Sequence, residues 1–517
     1  MATAKGEGIV FEIPVDEQLK STEFKPFKFQ GPFLLPNCGR RRRTNPHMRA
    51  FWGATLGFTF AFIGWFAFAP LLPVVRVDLG LCDNNAAIQL LPEDERIEAC
   101  VCKKQCKSTI ASANIAAVSF DVATRFVLGS VIEKFGPVKT DCMLLSFGAI
   151  VVSISAFIQS GSQLIAARFF VSCLGSTFVV NQFWNSIMFN SKIIGTVNGT
   201  AGGWGNLGGG LTQVLMPAIY AMWRSFGLSL SMAWRLSMFF PVSLYVVLVA
   251  WLWFCSQDTT TGKFEISMLG KTRRAGPSDY LRVCTDYRVF LMIFQYSSCF
   301  GAELVFNNVL VSHFVDNFDV DLLSAGALAL CFGGMNLFAR SLGGIASDWA
   351  SNRCGMQGRL WIHFLSLFWE AIFLFIFGCI DKSTGGWPVA LAVLICFSIF
   401  VNMSEGTSYA IVPYMIPQDL AIVSAVVGAG GTLGAVIATW AFYKYVQDSL
   451  LPFKLHACYV MFWALTVPLM KWETLGSMWH NPAKKLVEAP AAQKEEPKVP
   501  VPIAEEQPKH AIEEAQL

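Results

Sequence analysis

The chain has 517 residues, 54% hydrophobic and 15% charged, with a formal net charge of +3 and a mean hydropathy of +0.48. That balance excludes a string of soluble domains and gives no basic surface for nucleic acid; it describes a polytopic membrane protein. The net charge matters less than its placement, because basic residues near helix ends set membrane orientation.

Residues 1–48 are mostly polar, so the first apolar run is not a cleaved signal sequence. Arg40, Arg41, Arg42 and Arg43 precede that run and predict a cytoplasmic N-terminal segment. Runs of about 20 apolar residues, enough to cross a bilayer, predict spans at 50–75, 110–132, 140–160, 163–189, 195–221 and 234–256. The loop after the first span carries Cys82, Cys100, Cys102 and Cys106 and falls outside. One or two disulfides, or a metal site, fit that spacing, and an oxidising compartment favours disulfides over metal.

A central loop, 257–288, carries Lys263, Lys271, Arg273, Arg274, Arg282 and Arg288 and is predicted to be cytoplasmic. Six further spans follow at 289–313, 323–347, 361–380, 387–411, 419–445 and 455–470, with Asp316, Asp319 and Asp321 in an outer loop. The expected architecture is all-α, with twelve transmembrane helices in two six-helix bundles, 49–256 and 289–470. A cytoplasmic tail covers 471–517, and from about 486 its Pro, Glu, Lys and Ala leave too little apolar surface to fold.

Two segments repeat half a chain apart. "RFVLGSVIEKFG" and "RSLGGIASDW" each place Gly four residues and an acid eight residues after Arg: Arg125, Gly129, Glu133 and Arg340, Gly344, Asp348. The acids mark the cytoplasmic ends of spans two and eight, so each Arg falls near mid-membrane. There an Arg costs about 2.5–3.5 kcal/mol on insertion scales and usually faces a bundle interior or a water-filled cavity. Asp121, one helical turn before Arg125, is a local partner; nothing near Arg340 in sequence is acidic within the membrane, so an anion from water is its expected partner.

The stretch "TAGGWGNLGGG" contains a formal GxGxxG at Gly203, Gly205 and Gly208. A dinucleotide loop needs a preceding strand and an acid about 20 residues on, yet no Asp or Glu occurs between Asp141 and Asp258. "GNLG" in span five matches "GTLG" in span eleven, which adds Gly430, Gly431 and Gly434, so these glycines are read as helix-packing surfaces on which helices slide. Glu405 and Glu303 are the candidate proton-coupling carboxylates, and His313 and His363 are expected at helix ends. The acceptor patterns at Asn198 and Asn402 fall inside spans and are discarded, and no HExxH or Walker A loop occurs.

Taken with "FEIPVDEQLKSTEF", "LFARSLGGIASD", "EGTSYAIVPY" and "VGAGGTLGA", the glycine stretch resembles the nitrate/nitrite porters of the major facilitator superfamily, most closely the eukaryotic high-affinity nitrate transporters. The resemblance implies two pseudo-symmetric bundles, nitrate clasped by Arg125 and Arg340, Asn206 lining the site, and Trp184 and Tyr296 as facing aromatic rings. Two positions depart from the family pattern: Thr432 stands where Asn is usual, and Asp121 where a small residue is usual.

The implied function is proton-coupled uptake of nitrate, alone or with nitrite as a further substrate, by alternating access at the plasma membrane with both termini inside. No cofactor and no metal are expected. A nitrate sensor and a nitrate/nitrite exchanger without proton coupling are the alternatives; an oxidoreductase lacks the strand and the acid. Some members of the family require a single-span accessory protein, and the sequence leaves that partner open.

Overall fold

The computed structural model describes residues 20–26 and 46–480, apart from 94, 103–104, 261, 270–275, 319, 321, 445–447 and 449. The arginines at 40–43, Lys271, Arg273, Arg274, Asp319, Asp321 and the tail expected to be disordered lie outside the described residues.

Twelve helical passes run through the described residues. The first six are α1 (Pro46–Trp65), α2 (Gln105–Phe135), α3 (Pro137–Ser155), α4 (Gly161–Met188), α5 (Ile194–Ser225) and α6 (Leu230–Cys255). The second six are α7 (Tyr287–Phe318), α8 (Leu322–Gly334, resuming as Ala339–Cys354), α9 (Met356–Phe377), α10 (Gly386–Ile411), α11 (Leu420–Ala438) and α12 (Leu451–Ala464). Nine are long and apolar enough by composition to cross a membrane. Of the other three, α5 is thinned by glycine and α12 is only 14 residues long. A helix walled in by its neighbours does not need an apolar face all round.

Span one ends ten residues before its predicted limit of 75, at Trp65. Pro70 has no N–H to continue the ladder, so the chain turns and restarts as a short helix, Leu72–Asp78, with Pro73 in its first turn. The hairpins α2/α3 and α8/α9 each turn on a glycine at positive φ, Gly136 at 80° and Gly355 at 61°, where a side chain would be strained. Pro137 opens α3, at a position where the missing N–H costs nothing.

The helix pairs repeat by half-chain symmetry. Within the halves, α1 lies along α5 and α7 along α11; between them, α2 lies along α11 and α8 along α5. The glycines set these distances. A Cβ at Gly205 or Gly431 would meet the rings of Phe58 and Tyr296, and one at Gly208 or Gly434 the carbonyls of Thr59 and Ser297. Gly430 rests on Ile293 of α7, while Gly203 rests on the Asn336 carbonyl of α8. Most of the expected sliding glycines therefore fasten helices within one half, and Gly203 is the one that crosses. The GxGxxG lies wholly inside the continuous helix α5.

Outside the bundles, Cys82 pairs with Cys100 and Cys102 with Cys106. A short helix in the central loop, Pro277–Thr285, directs Arg282 to Asp419 at the start of α11. A hairpin of β1 (Lys471–Trp472) and β2 (Gly476–Ser477) follows α12.

Candidate functional site

Arg125 and Arg340 enter from opposite halves and are both fully buried. Three elements position Arg125. Its Nε lies 2.7 Å from Asp121 Oδ2, one turn back on α2. Its Nη2 donates to the Gly175 carbonyl at 2.8 Å, in a 3-10 turn, Ser172–Ser176, that interrupts α4. Its Nη1 donates across the interface to the Gly428 carbonyl of α11 at 3.0 Å.

Arg340 follows the break in α8. Its Nη1 is paired with Glu405 of α10, and its Nη2 donates to Tyr296 Oη at 3.0 Å. A Cβ at Gly202 of α5 would come within 2.8 Å of its Nε, so α5 closes over this guanidinium from the other half.

Where an anion from water is the expected partner of Arg340, or Glu303 as a structural one, the structure pairs it with Glu405, which lies 65 residues away in sequence. Glu303 takes another place: its Oε2 accepts from Asn206 Nδ2 at 2.9 Å and its Oε1 from Asn336 Nδ2 at 2.6 Å. The Asn206 amide also reaches Glu405 Oε2 at 3.4 Å, so one side chain of α5 bridges both candidate carboxylates of the other half. Glu405 Oε1 and Arg340 Nε are buried without a hydrogen-bond partner among the described residues.

An aromatic wall flanks both arginines. The Phe178 ring lies 5.3 Å from the Arg125 Cζ and 5.3 Å from the Arg340 Cζ, within cation–π range of both. Phe300 covers Arg125 at 5.3 Å. Tyr296 stacks on Phe178 and Phe300 at 6.0 and 5.4 Å, and Tyr409 meets Phe178 edge-on at 4.8 Å.

Tyr296 thus lies against Arg340 and Phe178, whereas the structure places Trp184 apart from them. Its ring packs beside Leu252 against Gly53 of α1, inside one half. Six residues separate it from Phe178, which at about 100° per residue puts the two on different faces of α4. Sequence reading also missed Phe300, Tyr409 and Asn336. Asn336 carried a usable signal, lying one turn before Arg340.

One of the two histidines differs from expectation too. His363 is not at a helix end; it is buried within α9, with Nδ1 2.8 Å from Thr407 Oγ1 and Nε2 3.3 Å from Gln295 Oε1. His313 is buried near the end of α7, 2.8 Å from Asn317. Below the site, Asp348 caps α5, accepting from Thr196 N at 2.6 Å and Thr196 Oγ1 at 2.8 Å, and Arg359 holds its other oxygen at 2.8 Å. A carboxylate at a helix N-terminus is favoured by the exposed N–H groups there.

The assembled chemistry is two planar cationic forks, a ring between them and carboxylates within reach. It suits a small flat monovalent anion, because forks and a slot match trigonal oxygens better than a point charge.

The family model described as "Major Facilitator Superfamily" matches residues 54–439. The chain is 33% identical over 465 residues to the "High-affinity nitrate transporter 2.3" of Oryza sativa subsp. japonica, covering 89% of this chain and 81% of that protein. It is 33% identical over 492 residues to the "High affinity nitrate transporter 2.5" of Arabidopsis thaliana, covering 92% and 87%. Among solved structures, the proton:xylose symporter XylE superposes with a TM-score of 0.59 at 14% identity over 81% of this chain and 95% of that one. That last likeness concerns the fold alone.

Proposed function

The chain belongs to the major facilitator superfamily and, within it, to the nitrate/nitrite porter family, and on that premise we propose that it takes up nitrate together with protons by alternating access. The observation that carries this reading is the pair Arg125 and Arg340, one from each half, sharing the Phe178 ring. An anion between them touches both halves at once, as a midplane site between repeats requires.

Inward movement of one anion opposes a negative-inside potential by about 2.3 kcal/mol per charge per 100 mV. Two or more protons per nitrate reverse that sign. Glu405 is the first acceptor: it neutralises Arg340 directly and shares the Asn206 amide with Glu303. Two carboxylates this close repel, and a proton on one relieves them. Protonated Glu405 releases Arg340 to an anion, so proton and nitrate load together.

The basic residues of the central loop support cytoplasmic termini, and uptake across the plasma membrane follows from that orientation. Isotopic nitrate uptake into proteoliposomes holding only this chain tests the reading. A pH gradient, acid outside, should drive accumulation, and Glu405→Gln should keep nitrate exchange while lowering the accumulation that the gradient drives. Equal uptake with and without the gradient would remove proton coupling and leave an exchanger.

A further inference from the structure

Asp121 is a second buried carboxylate that the cycle above leaves unused. It is fully buried on α2, pairs with Arg125 at 2.7 Å, and accepts from Ser176 Oγ at 2.9 Å and from Thr432 Oγ1 at 2.7 Å. Thr432 belongs to α11, in the other half.

This arrangement repeats the one at Glu405. Asn206 in "GNLG" and Thr432 in "GTLG" hold equivalent places, since the flanking glycines rest on Phe58 and Thr59 in one half and on Tyr296 and Ser297 in the other. Each of these polar side chains reaches across the interface to a carboxylate that neutralises that half's arginine: Asn206 to Glu405 beside Arg340, and Thr432 to Asp121 beside Arg125. With Asp121, Glu405 and Glu303 all ionised, the two arginines are outweighed and the cluster is one charge negative. An anion is repelled from such a cluster.

We propose that Asp121 is a second protonation site of the transport cycle, so that nitrate binding between Arg125 and Arg340 requires one proton on Asp121 and one on Glu405. The inference rests on the nitrate–proton reading and adds the residue that carries its second proton. On loading, a proton from the entry-side water adds to a carboxylate oxygen of Asp121. The neutral acid no longer balances Arg125, and an oxygen of the anion does. On release the acid returns its proton to the exit-side water and the ion pair re-forms.

Around this carboxylate α4 presents Cys173 and Ser176, α11 presents Thr432, and α1 presents Trp65, while the Ser172 hydroxyl of α4 accepts from the Asp121 main-chain N–H. Arg125 is the charged group among them and Cys173 the other titratable one. Separation of the halves would remove the Thr432 donor, which favours the neutral acid, so protonation and the opening of the interface work in the same direction.

Asp121→Asn is close to the protonated acid in shape and charge. In proteoliposomes of the full chain, the ratio of charge moved to nitrate moved should fall by one relative to the unmodified protein, and the external-pH dependence of the nitrate KM should flatten. Nitrate-for-nitrate exchange should persist. A ratio and pH profile equal to the unmodified protein's would overturn the inference.

Should Asp121→Asn fail to fold, Thr432→Val decides the matter. It keeps the carboxylate and removes one donor, and it should move the pH midpoint of uptake upward; an unmoved midpoint counts against Asp121. Absence of nitrate flux in the unmodified chain is a different failure, because it removes the transport reading itself.

Discussion

Gly344 of α8 and Gly195 of α5 cross backbone to backbone, so close that a Cβ on Gly344 would overlap the Gly195 carbonyl. The atom in the way is main chain and cannot rotate aside. Overpacking of this kind costs about 1–3 kcal/mol, and here the cost falls only on the conformation in which the halves meet at this end. Gly344→Ala should insert normally and yet lose most of its nitrate uptake, with a cysteine at Thr196 becoming more reactive to a thiol reagent. Uptake at the unmodified rate would show that this crossing does not limit the cycle.

Phe178 lies 5.3 Å from both guanidinium carbons, whereas Trp184 packs inside one half. Each cation–π contact is worth about 0.5–2 kcal/mol, more when desolvated. Phe178→Leu keeps an apolar wall but removes the ring, so the KM for nitrate should rise several-fold to tens-fold with little loss of protein. Trp184→Phe serves as the control and should leave KM alone. The reverse pattern in uptake kinetics would return the substrate-facing role to Trp184.

The two arginines and the paired glycine stretches are legible in the sequence because their signal is duplicated. Arg125 and Arg340 carry the same offsets to Gly and to an acid, and "GNLG" and "GTLG" match half a chain apart, so each supports the other without any knowledge of packing. What stayed hidden depends on tertiary placement. Glu405 meets Arg340 from a different helix, and Phe178 reaches both arginines through the 3-10 interruption of α4 that precedes it. His363 reads as a helix-end residue in a linear pattern, yet it is held inside by Thr407 and Gln295. The two departures from the family pattern, Asp121 and Thr432, turn out to be hydrogen-bonded to each other, a relation that no single position reveals.

The disulfides separate stability from transport. Cys82–Cys100 closes a loop with a sequence separation of 18, Cys102–Cys106 one of 4. Chain-entropy arguments give typical disulfides about 2–4 kcal/mol, more for longer loops. Replacing Cys82 and Cys100 by Ser should lower the thermal unfolding temperature clearly, and replacing Cys102 and Cys106 should lower it less. Neither pair touches the arginine site, so the nitrate KM of the folded protein should stay the same in both variants.

Lysine substitution tests the forks themselves. Arg125 addresses three partners through three separate nitrogens: Asp121, the Gly175 carbonyl and the Gly428 carbonyl. A lysine ammonium is a single point and cannot span all three. Hydrogen bonds to charged groups are worth about 1.5–3 kcal/mol each, so losing two of them predicts at least a hundred-fold loss in kcat/KM for Arg125→Lys. Arg340 uses Nη1 for Glu405 and Nη2 for Tyr296, and a lysine there would keep the carboxylate and abandon the tyrosine. Its charge would remain and protonated Glu405 would release it, but a single ammonium offers no fork for a trigonal anion, so Arg340→Lys should abolish nitrate-evoked current even at acid external pH. Tyr296→Phe removes only the hydroxyl and should cost far less, about one hydrogen bond's worth. Measured currents that survive Arg340→Lys with unchanged nitrate affinity would mean that charge alone suffices, and the two-fork site would have to be abandoned.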